Sequence, residues 1–538
     1  MFATGGKDRE SELAQGVDGS DEARDKIWLG QHLSRVGGAA LFATVVLGWL
    51  WAHTDVLFAD GLRYIAQARA FERGSSDLSL RKAVDHPVYP LAIAGVHWIF
   101  GGEGPEGWQR GAQLASMMAG VLLVIPIYLV SRELFGNTVS LPACLLVYAV
   151  PLTGHVFADA LSESTFLLFW MWGLWGGLRF LKGGSLGWAA VVVGFSGLAY
   201  LTRPEGLLLP ASVLAAIGMS PIWVARGLGK RGLAVVGVLV AGSAAVVGPY
   251  VIMRGGLGTK PSIARLLGTA PKSAAHAVER QRPLEPGQTA GRTYALACKA
   301  VIKATGEAVT WPLLAFAFVG LVGLRPVAGE VRQWRLLGVI GVVSMLALVR
   351  LHATGGYCSA RHAMIPAMIL IPAAAAGIGR QIGRVEGWMK VGAGRRFSWE
   401  MMGWGIVTAG VVGVNASGFF APVNAGLDGY RQAGRWLAEH TSGESHVVDV
   451  TGWSQFYGQR DGYTFGDLVA APADPMARWV VAREAHLKGP WGYCERLRAL
   501  VEGLEPVEVF VGSVKKQPTK VYVYDRQPRI AGVEKVRR

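Results

Sequence analysis

The chain has 538 residues, of which 51% are hydrophobic and only 17% are charged, and its formal net charge is +15. This composition excludes an ordinary soluble globular protein and predicts a polytopic α-helical membrane protein. A basic balance in such a protein points first to cytoplasmic loops that follow the positive-inside rule, so it does not indicate nucleic acid as a partner. The four cysteines lack C-x-x-C spacing and indicate neither a zinc site nor a redox motif.

The first 420 residues are predicted to contain a tail and a membrane domain. Residues 1–35 are polar and carry no signal-peptide pattern, which predicts a cytoplasmic tail. Residues 36–420 contain about 11 apolar stretches of the length that a spanning helix needs, or up to about 13 helices in all. The predicted spans are 36–53, 111–130, 138–154, 161–180, 186–201, 206–224, 233–252, 308–324, 336–350, 362–379 and 403–420. The apolar stretch 88–100 is short and is predicted to be a half-helix or interfacial segment; a crossing there would invert every later orientation.

The charges between the spans predict an orientation. With the amino terminus inside, the predicted inside loops collect many Arg and Lys residues, whereas the short outside connections hold only Arg203, Arg350 and Arg361. Two longer segments then lie outside: the first loop (54–87), and a basic loop (253–307) with a helical stretch near 293–305.

Residues 421–538 have a mixed polar and apolar pattern and the length of a small domain. A helical stripe covers 427–441, a second helix is expected near 491–503, and strands are predicted at 447–450, 479–482, 507–511 and 521–524. This pattern predicts a small α/β domain. The odd number of spans places it on the extracytoplasmic side.

Unusual polar residues gather on this predicted outer side, at the ends of helices. A carrier would instead place ionisable groups near the bilayer midplane, within broken spans. Ionisable groups on one face indicate an enzyme whose substrates approach from the outer leaflet and the outside solution. The residues are Asp55, Asp60, Arg63, Tyr64, Asp85, His86, Asp159, Glu163, Arg203, Glu205, Arg350, His352, Arg361 and His362.

Two motifs stand out in the first loop. Asp60 heads D-G-L-R-Y and is expected at a helix start, with Tyr64 on the same face. It is either a helix N-cap and nothing more, or a catalytic carboxylate for which Asp55 competes. His86 heads H-P-V-Y-P and either forms a turn or donates to a phosphate or acceptor group.

Two further groups follow along the chain. Asp159 and Glu163 are four residues apart and are expected on one face of a helix start. Their negative charges either interact favourably with the helix dipole and do no more, or bind sugar hydroxyls or a divalent metal. The motif T-R-P-E-G (202–206) is predicted to form a tight turn. Within it, Arg203 and Glu205 form an ion pair with each other, or Arg203 faces a phosphate instead.

Span ends supply the remaining candidates. Arg350, His352 and Arg361 lie at such ends, where the basic side chains either snorkel to the lipid headgroups or grip a phosphate, which a guanidinium binds bidentately.

In this order, the motifs resemble those of the GT-C superfamily of integral-membrane glycosyltransferases, in particular the family-39-like branch with protein O-mannosyltransferases and the lipid A aminoarabinose transferase. The matches are D-G-x-x-Y at 60–64, H-P-x-Y-P at 86–90, a loose E-x-x-x-F at 163–167, L-T-R-P-E-G at 201–206 and R-H-x-x-x-P at 361–366. Better-known members carry an acidic pair such as D-E in the first loop. Here Gly61 follows Asp60, so a second carboxylate would come from Asp55, Asp159 or Glu163.

The resemblance implies an inverting transfer of a sugar from a polyprenyl-phosphate donor to a hydroxyl of a protein, lipid or glycan, on the outer face of a bacterial plasma membrane. Asp60 would be the general base, and no cofactor is required, although a divalent metal at Asp159 and Glu163 stays open. The residues expected to bind substrates are Tyr64, His86, Asp159, Glu163, Arg203, Glu205, Arg350, His352 and Arg361.

The loop 253–307 would close over the lipid carrier, and the C-terminal domain would select the acceptor. A transporter or flippase of a lipid-linked saccharide is the alternative, and an anchor that presents the C-terminal domain is a second.

Overall fold

The computed structural model describes residues 7–219, 229–256, 290–323, 331–389, 393–513 and 519–527. Helices dominate as far as residue 419. They are α1 (Lys7–Ala52), α2 (Ala59–Glu72), α3 (Val88–Phe100), α4 (Gly104–Leu122), α5 (Val124–Phe135), α6 (Asn137–Ala149), α7 (Pro151–Ala158), α8 (Glu163–Gly183), α9 (Leu186–Tyr200), α10 (Leu208–Gly218), α11 (Lys230–Arg254), α12 (Ala290–Val309), α13 (Trp311–Val322), α14 (Val331–Gly355), α15 (Met364–Trp388), α16 (Ala393–Val414) and α17 (Ala416–Phe419).

Two predicted spans are broken. α6 ends before Pro151, which starts α7 because its ring cannot continue the hydrogen-bond ladder of the preceding helix, and the two helices bend by 70°. α12 and α13 bend by 94° at Thr310, whose φ of 71° lies outside the helical region. The prediction of a single helix at 138–154 is therefore wrong, whereas the predicted span 308–324 corresponds to α13 and begins two residues before the break. The predicted helical stretch near 293–305 is confirmed by α12, whereas most of the basic loop 253–307 lies outside the described residues.

Within the described ranges, five helices are long and apolar enough to cross a membrane, or seven if each bent pair counts as one span. Shorter apolar helices add to these, and one of them is α3, which has 13 residues. The prediction of a polytopic α-helical membrane protein is confirmed. The total of about 11 to 13 transmembrane helices stays a prediction, because it depends on which short helices cross.

The membrane domain packs around a core that α1, α5, α6, α8, α9 and α15 share. Small residues bring some helices very close together. A methyl group at Gly377 on α15 would collide with the carbonyl of Phe316 on α13, and one at Gly320 would collide with that of Ala373. Close packing at small residues is a usual way for helices to associate in a bilayer.

The C-terminal region is an α/β domain. It contains α18 (Gly429–His440), β1 (His446–Val448), α19 (Trp453–Gly458), β2 (Gly462–Tyr463), β3 (Ala477–Arg483), α20 (Glu484–Lys488), α21 (Gly492–Val501), β4 (Glu508–Val511) and β5 (Lys520–Asp525). The sheet order is β2-β1-β3-β5-β4, with β2, β1 and β3 parallel and the β3–β5 and β4–β5 pairs antiparallel. The four predicted strands and both predicted helices are confirmed; β2 was missed because it is only two residues long.

The segment between α1 and α2 is packed into the C-terminal domain. Val56 is fully buried in the same core as Tyr430 on α18. The backbone N–H of Leu57 donates to the Tyr457 hydroxyl at 3.3 Å, and its carbonyl accepts from the Trp453 indole at 2.7 Å. Both partners belong to α19, so this short helix fixes the backbone that leads into α2.

Candidate active site

Asp60 lies in the first turn of α2, and its carboxylate binds two arginines. One oxygen accepts from Arg361 at 2.6 Å and the other from Arg63 at 2.9 Å; Arg63 also donates to Asp85 at 3.0 Å. The interpretation of Asp60 as an N-cap is wrong, because Phe58 occupies that position and makes no capping bond through its side chain. The carboxylate is turned towards cations instead.

Arg203 is the second centre of charge. Its guanidinium contacts Glu163 at 2.8 Å and Glu205 at 2.9 Å, and Arg361 approaches the same oxygen of Glu163 at 3.8 Å. Burial alone would lower the pKa of Arg203, but Glu205 and Glu163 raise it well above its ordinary value. The tight turn that holds Arg203 requires Gly206, since a side chain there would collide with the backbone of Tyr200.

These ion pairs form one continuous network from four separate parts of the chain. We call it the arginine–carboxylate network: Asp60, Arg63, Asp85, Glu163, Arg203, Glu205 and Arg361. Arg361 enters it from a 3₁₀ turn (Ala360–Ala363) before α15, which a capping box between Ser359 and His362 stabilises. The structure thus brings the predicted residues Asp60, Glu163, Arg203, Glu205 and Arg361 together.

Tyr64 and His86 take different positions relative to this network. Tyr64 is buried, and its hydroxyl lies 3.0 Å from that of Ser162, which also accepts from Arg203 at 3.5 Å. The His86 ring is buried against Tyr200, with 5.0 Å between ring centroids, and also lies against the ring of Tyr250. Tyr64 therefore contacts the network through one hydroxyl, whereas His86 lies in an aromatic environment.

Asp159 does not share a helix with Glu163. It is extended, with φ −94° and ψ 167°, and α8 begins only at Glu163, so the prediction that both project from one helical face is wrong. The Asp159 carboxylate accepts from the backbone N–H groups of Phe58 and Ala160, at 3.0 and 2.7 Å, and from the Asn424 amide at 2.9 Å. Burial raises the pKa of Asp159 to about 6.

The two carboxylates do not fit a shared metal site. Both oxygens of Asp159 accept from amide groups, and Glu163 faces the guanidinium groups of Arg203 and Arg361. Across the described ranges, no three or more His, Cys, Asp and Glu side chains are grouped so that they could hold a metal ion. Metal dependence of the protein stays a prediction.

Three other candidates take no part in the ion pairs that define the network. Arg350 is exposed and His352 half-buried near the end of α14, and the ion pairs described above include neither, so their donor-binding role stays a prediction. Asp55 accepts from the backbone N–H of Gly426 at 2.7 Å and from the Ser513 hydroxyl at 3.3 Å. Asp55 therefore joins the two domains, whereas Asp60 belongs to the network.

A cavity of about 900 Å³ opens beside Asp60, between α2 and the C-terminal domain. Asp60 and Arg63 line it, whereas Arg203 and Arg361 do not. The Asp60 carboxylate thus has the cavity on one side and the arginines of the membrane domain on another. The lining residues are Ala59, Asp60, Leu62, Arg63, Arg69, Glu72, Arg73, Gly104, Trp108, Val450, Thr451, Gly452, Gln455, Phe456, Gln459, Arg460, Asp461, Thr464, Phe465 and Gly466.

Sequence reasoning missed several of these residues. Ser162 joins Tyr64 to Arg203, and its signal was a serine directly before the acidic first turn of α8. Asn424 and the cavity residues of the C-terminal domain carry no local signal, because only the packing of one domain on the other brings them to the site.

Comparisons with known proteins agree with this fold. The sequence model of a family described as dolichyl-phosphate-mannose-protein mannosyltransferase matches residues 84–250. The structure is similar to the apo oligosaccharyltransferase of Archaeoglobus fulgidus, with a TM-score of 0.56 and 13% identity over 88% of this chain and 73% of that one. It is also similar to ArnT from Cupriavidus metallidurans bound to undecaprenyl phosphate, with a TM-score of 0.54 and 14% identity over 92% and 99% of the two chains.

The chain has the GT-C fold. A third similar structure is the archaeal oligosaccharyltransferase AglB from Archaeoglobus fulgidus in complex with an inhibitory peptide and a dolichol-phosphate, with a TM-score of 0.52 and 13% identity over 85% and 69% of the two chains. No curated protein matches this chain by sequence. At these identities the similarity to solved structures shows the fold alone.

Proposed function

We propose that this GT-C protein is a glycosyltransferase that moves a sugar from a polyprenyl-phosphate donor to a hydroxyl group of an acceptor, with inversion. The observation that carries the proposal is the position of Asp60, which lines a cavity and whose carboxylate binds the half-buried Arg361 of the membrane domain. A transfer of this kind needs a base on the acceptor side and positive charge on the side of the leaving phosphate. This site offers both around a single carboxylate.

In the proposed reaction, Asp60 accepts the proton of the acceptor hydroxyl as that oxygen attacks the anomeric carbon of the sugar. The bond from that carbon to the phosphate oxygen breaks, and polyprenyl phosphate leaves with the electron pair. Ion pairs with Arg361 and Arg63 favour the carboxylate form that a base requires. General-base assistance of this type typically contributes about 10²–10⁴-fold to the rate. No metal is required.

Arg361 is the proposed ligand of the leaving phosphate. Its contact with Asp60 is 2.6 Å long, but its contact with Glu163 is 3.8 Å, the longest ion pair within the network. A phosphate oxygen could replace this weaker contact and gain a charge-assisted hydrogen bond, while Arg361 keeps its bond to Asp60. Arg203 lies beside the same Glu163 oxygen and would add positive charge to the same position.

The donor class and the orientation also have support. Similar folds are known with undecaprenyl phosphate, in ArnT, and with a dolichol-phosphate, in AglB. The bias of Arg and Lys between the spans supports a cytoplasmic amino terminus and an extracytoplasmic C-terminal domain, as expected in a bacterial plasma membrane. Tyr64 and His86 would position the substrates, and the basic loop 253–307 would close over the lipid.

The test is a transfer assay with the purified full-length protein in lipid vesicles. Undecaprenyl phosphates that carry radiolabelled mannose, glucose, galactose or arabinose serve as donors, and envelope extracts from a source strain that lacks the gene serve as acceptors. We expect label to move into covalent product and free undecaprenyl phosphate to appear. If intact labelled lipid crosses sealed vesicles without any covalent product, the protein is a transporter and the proposal fails.

A further inference from the structure

The cavity beside Asp60 has a second wall that belongs to the C-terminal domain and is formed by α19 and the loop that follows it. We propose that this cavity binds the acceptor and that the acceptor is a carbohydrate chain. The inference rests on the proposed function and adds an acceptor class to it. A volume of about 900 Å³ lies within the range of roughly 300–1,000 Å³ that small-ligand sites occupy, so the end of a glycan would fit.

The chemistry of the walls suits sugar hydroxyls. Each sugar hydroxyl both donates and accepts, so a wall that recognises several of them needs donors and acceptors close together. α2 contributes Glu72 and Arg69, and the C-terminal domain contributes Gln459, Arg460 and Thr464. The carboxylate among them accepts, the guanidinium groups donate, and the amide and hydroxyl groups do both, so the walls offer donors and acceptors together. The Asp60 carboxylate lies in the same wall, where it can reach one hydroxyl.

Aromatic rings alternate with these polar groups. Trp108 and Phe456 line the cavity, and the guanidinium of Arg69 lies 5.2 and 5.5 Å from their ring centroids. Trp108 is held by a stacked contact with His97, with 3.6 Å between the ring centroids and 12° between the planes. The two rings therefore hold the Arg69 guanidinium in the cavity wall, where its N–H groups can donate to sugar hydroxyls.

The C-terminal wall is preorganised by a buried carboxylate. Asp449 is fully buried and accepts from the backbone N–H and hydroxyl groups of both Thr451 and Ser454, at 2.7–2.9 Å. Gly452 between them has a φ of +78°, which favours glycine. The loop is thus held in one conformation before any ligand arrives, which lowers the entropic cost of binding.

The other two acceptor classes fit less well. A lipid acceptor would need a continuous apolar wall, and here Arg69, Glu72 and Arg73 interrupt it. An extended peptide commonly binds by adding a strand to an open sheet edge. The edge strand beside the cavity, β2, has only two residues (Gly462–Tyr463), which is too short for such a ladder.

The experiment combines product fractionation with cavity variants of the full-length protein. After transfer from a radiolabelled undecaprenyl-phosphate sugar, the envelope extract is separated into glycan, protein and lipid fractions. We expect the label in the glycan fraction. For Arg69→Gln and Gln459→Ala we expect the KM for the glycan fraction to rise about tenfold, as for the loss of one good hydrogen bond, with an unchanged KM for the donor.

Matched substitutions outside the cavity serve as controls. Arg81→Gln in the first loop and Gln432→Ala on α18 change the same residue types at exposed positions. We expect both to behave as the unmodified protein, and thermal melting checks that all four variants fold. Label found only in protein or lipid would overturn the carbohydrate acceptor and leave the proposed function standing. An unchanged glycan KM in both cavity variants would overturn the cavity assignment, and absence of label from all fractions would overturn both proposals.

Discussion

At the scale of single residues, the site is defined by what each carboxylate binds. Asp55 and Asp60 lie five positions apart in the same loop, yet Asp55 accepts from a backbone N–H of the C-terminal domain and Asp60 accepts from two arginines. The order of the sequence motifs favoured Asp60 over Asp55 as the base. The structure agrees with this choice, because Asp60 contacts the arginines of the site whereas Asp55 is used to join the domains. Position along the sequence alone would not have selected Asp60, because Asp55 lies closer to the end of the first span.

Substitution of Arg361 tests the proposed phosphate ligand. In Arg361→Ala the donor phosphate loses a charge-assisted hydrogen bond, and we expect the KM for the undecaprenyl-phosphate sugar to rise at least about tenfold, since such bonds are worth roughly 1.5–3 kcal/mol. The KM for the acceptor should change much less. Arg384→Ala, an exposed arginine near the other end of α15, is the matched control. Equal effects on donor and acceptor would indicate a structural arginine.

The raised pKa of Asp159 predicts a pH dependence of stability. Burial raises this pKa from the ordinary aspartate value of 3.8 to about 6, so the folded state holds the proton more tightly than the unfolded state. The resulting stabilisation is complete below about pH 4 and is lost as the pH rises through 6. The melting temperature of the unmodified protein, relative to that of Asp159→Asn, should therefore fall between pH 4.5 and pH 7. A difference that does not change with pH would contradict this assignment.

At the scale of elements, the short helix α19 connects the C-terminal domain to the proposed base. Its Trp453 and Tyr457 side chains hold the backbone of Leu57 three residues before Asp60. The Tyr457 hydroxyl also donates to Gln109 on α4 at 2.8 Å, so α19 contacts both the first loop and a membrane helix. We infer that the C-terminal domain positions α2 relative to the arginines of the membrane domain.

Tyr457→Phe isolates this contact. The substitution removes one hydroxyl and leaves the buried N–H of Leu57 and the Gln109 carbonyl without that partner, which typically costs about 1–3 kcal/mol. We expect a lower melting temperature and a fall in kcat that exceeds any change in the KM of either substrate. Tyr463→Phe removes a hydroxyl bonded to Asp474 in the same domain, away from the first loop, and should leave kcat unchanged. An unaltered kcat in Tyr457→Phe would show that α19 does not position the base.

At the scale of the whole molecule, composition and periodicity were sufficient for the fold class. The apolar stretches predicted a helical membrane domain, and alternating short strands predicted the C-terminal α/β domain. Breaks within helices were harder to predict: the bend at Thr310 depends on one backbone angle that no residue pattern marks. The helix expected to carry both Asp159 and Glu163 begins only at Glu163, because the backbone at Asp159 is extended.

The site was predictable only in part, for a physical reason. Motifs can identify residues such as Arg203 and Arg361 that lie at helix ends, but their convergence on Asp60 depends on how the helices pack. The insertion of Val56 into the core of the C-terminal domain follows no local pattern, and neither does the packing that brings residues of this domain to the cavity beside Asp60. The arrangement of the domains was therefore not accessible from sequence, although each domain was.

The most direct test of the proposed mechanism compares Asp60→Asn with Asp55→Asn in the purified full-length protein. The measured quantity is the kcat of sugar transfer from an undecaprenyl-phosphate sugar, with undecaprenyl phosphate binding and thermal melting recorded for both variants. We expect Asp60→Asn to fold and bind the lipid but to lose at least about 100-fold in kcat, as for the loss of a general base. Asp55→Asn should retain its turnover. Near-normal turnover in Asp60→Asn would contradict the account.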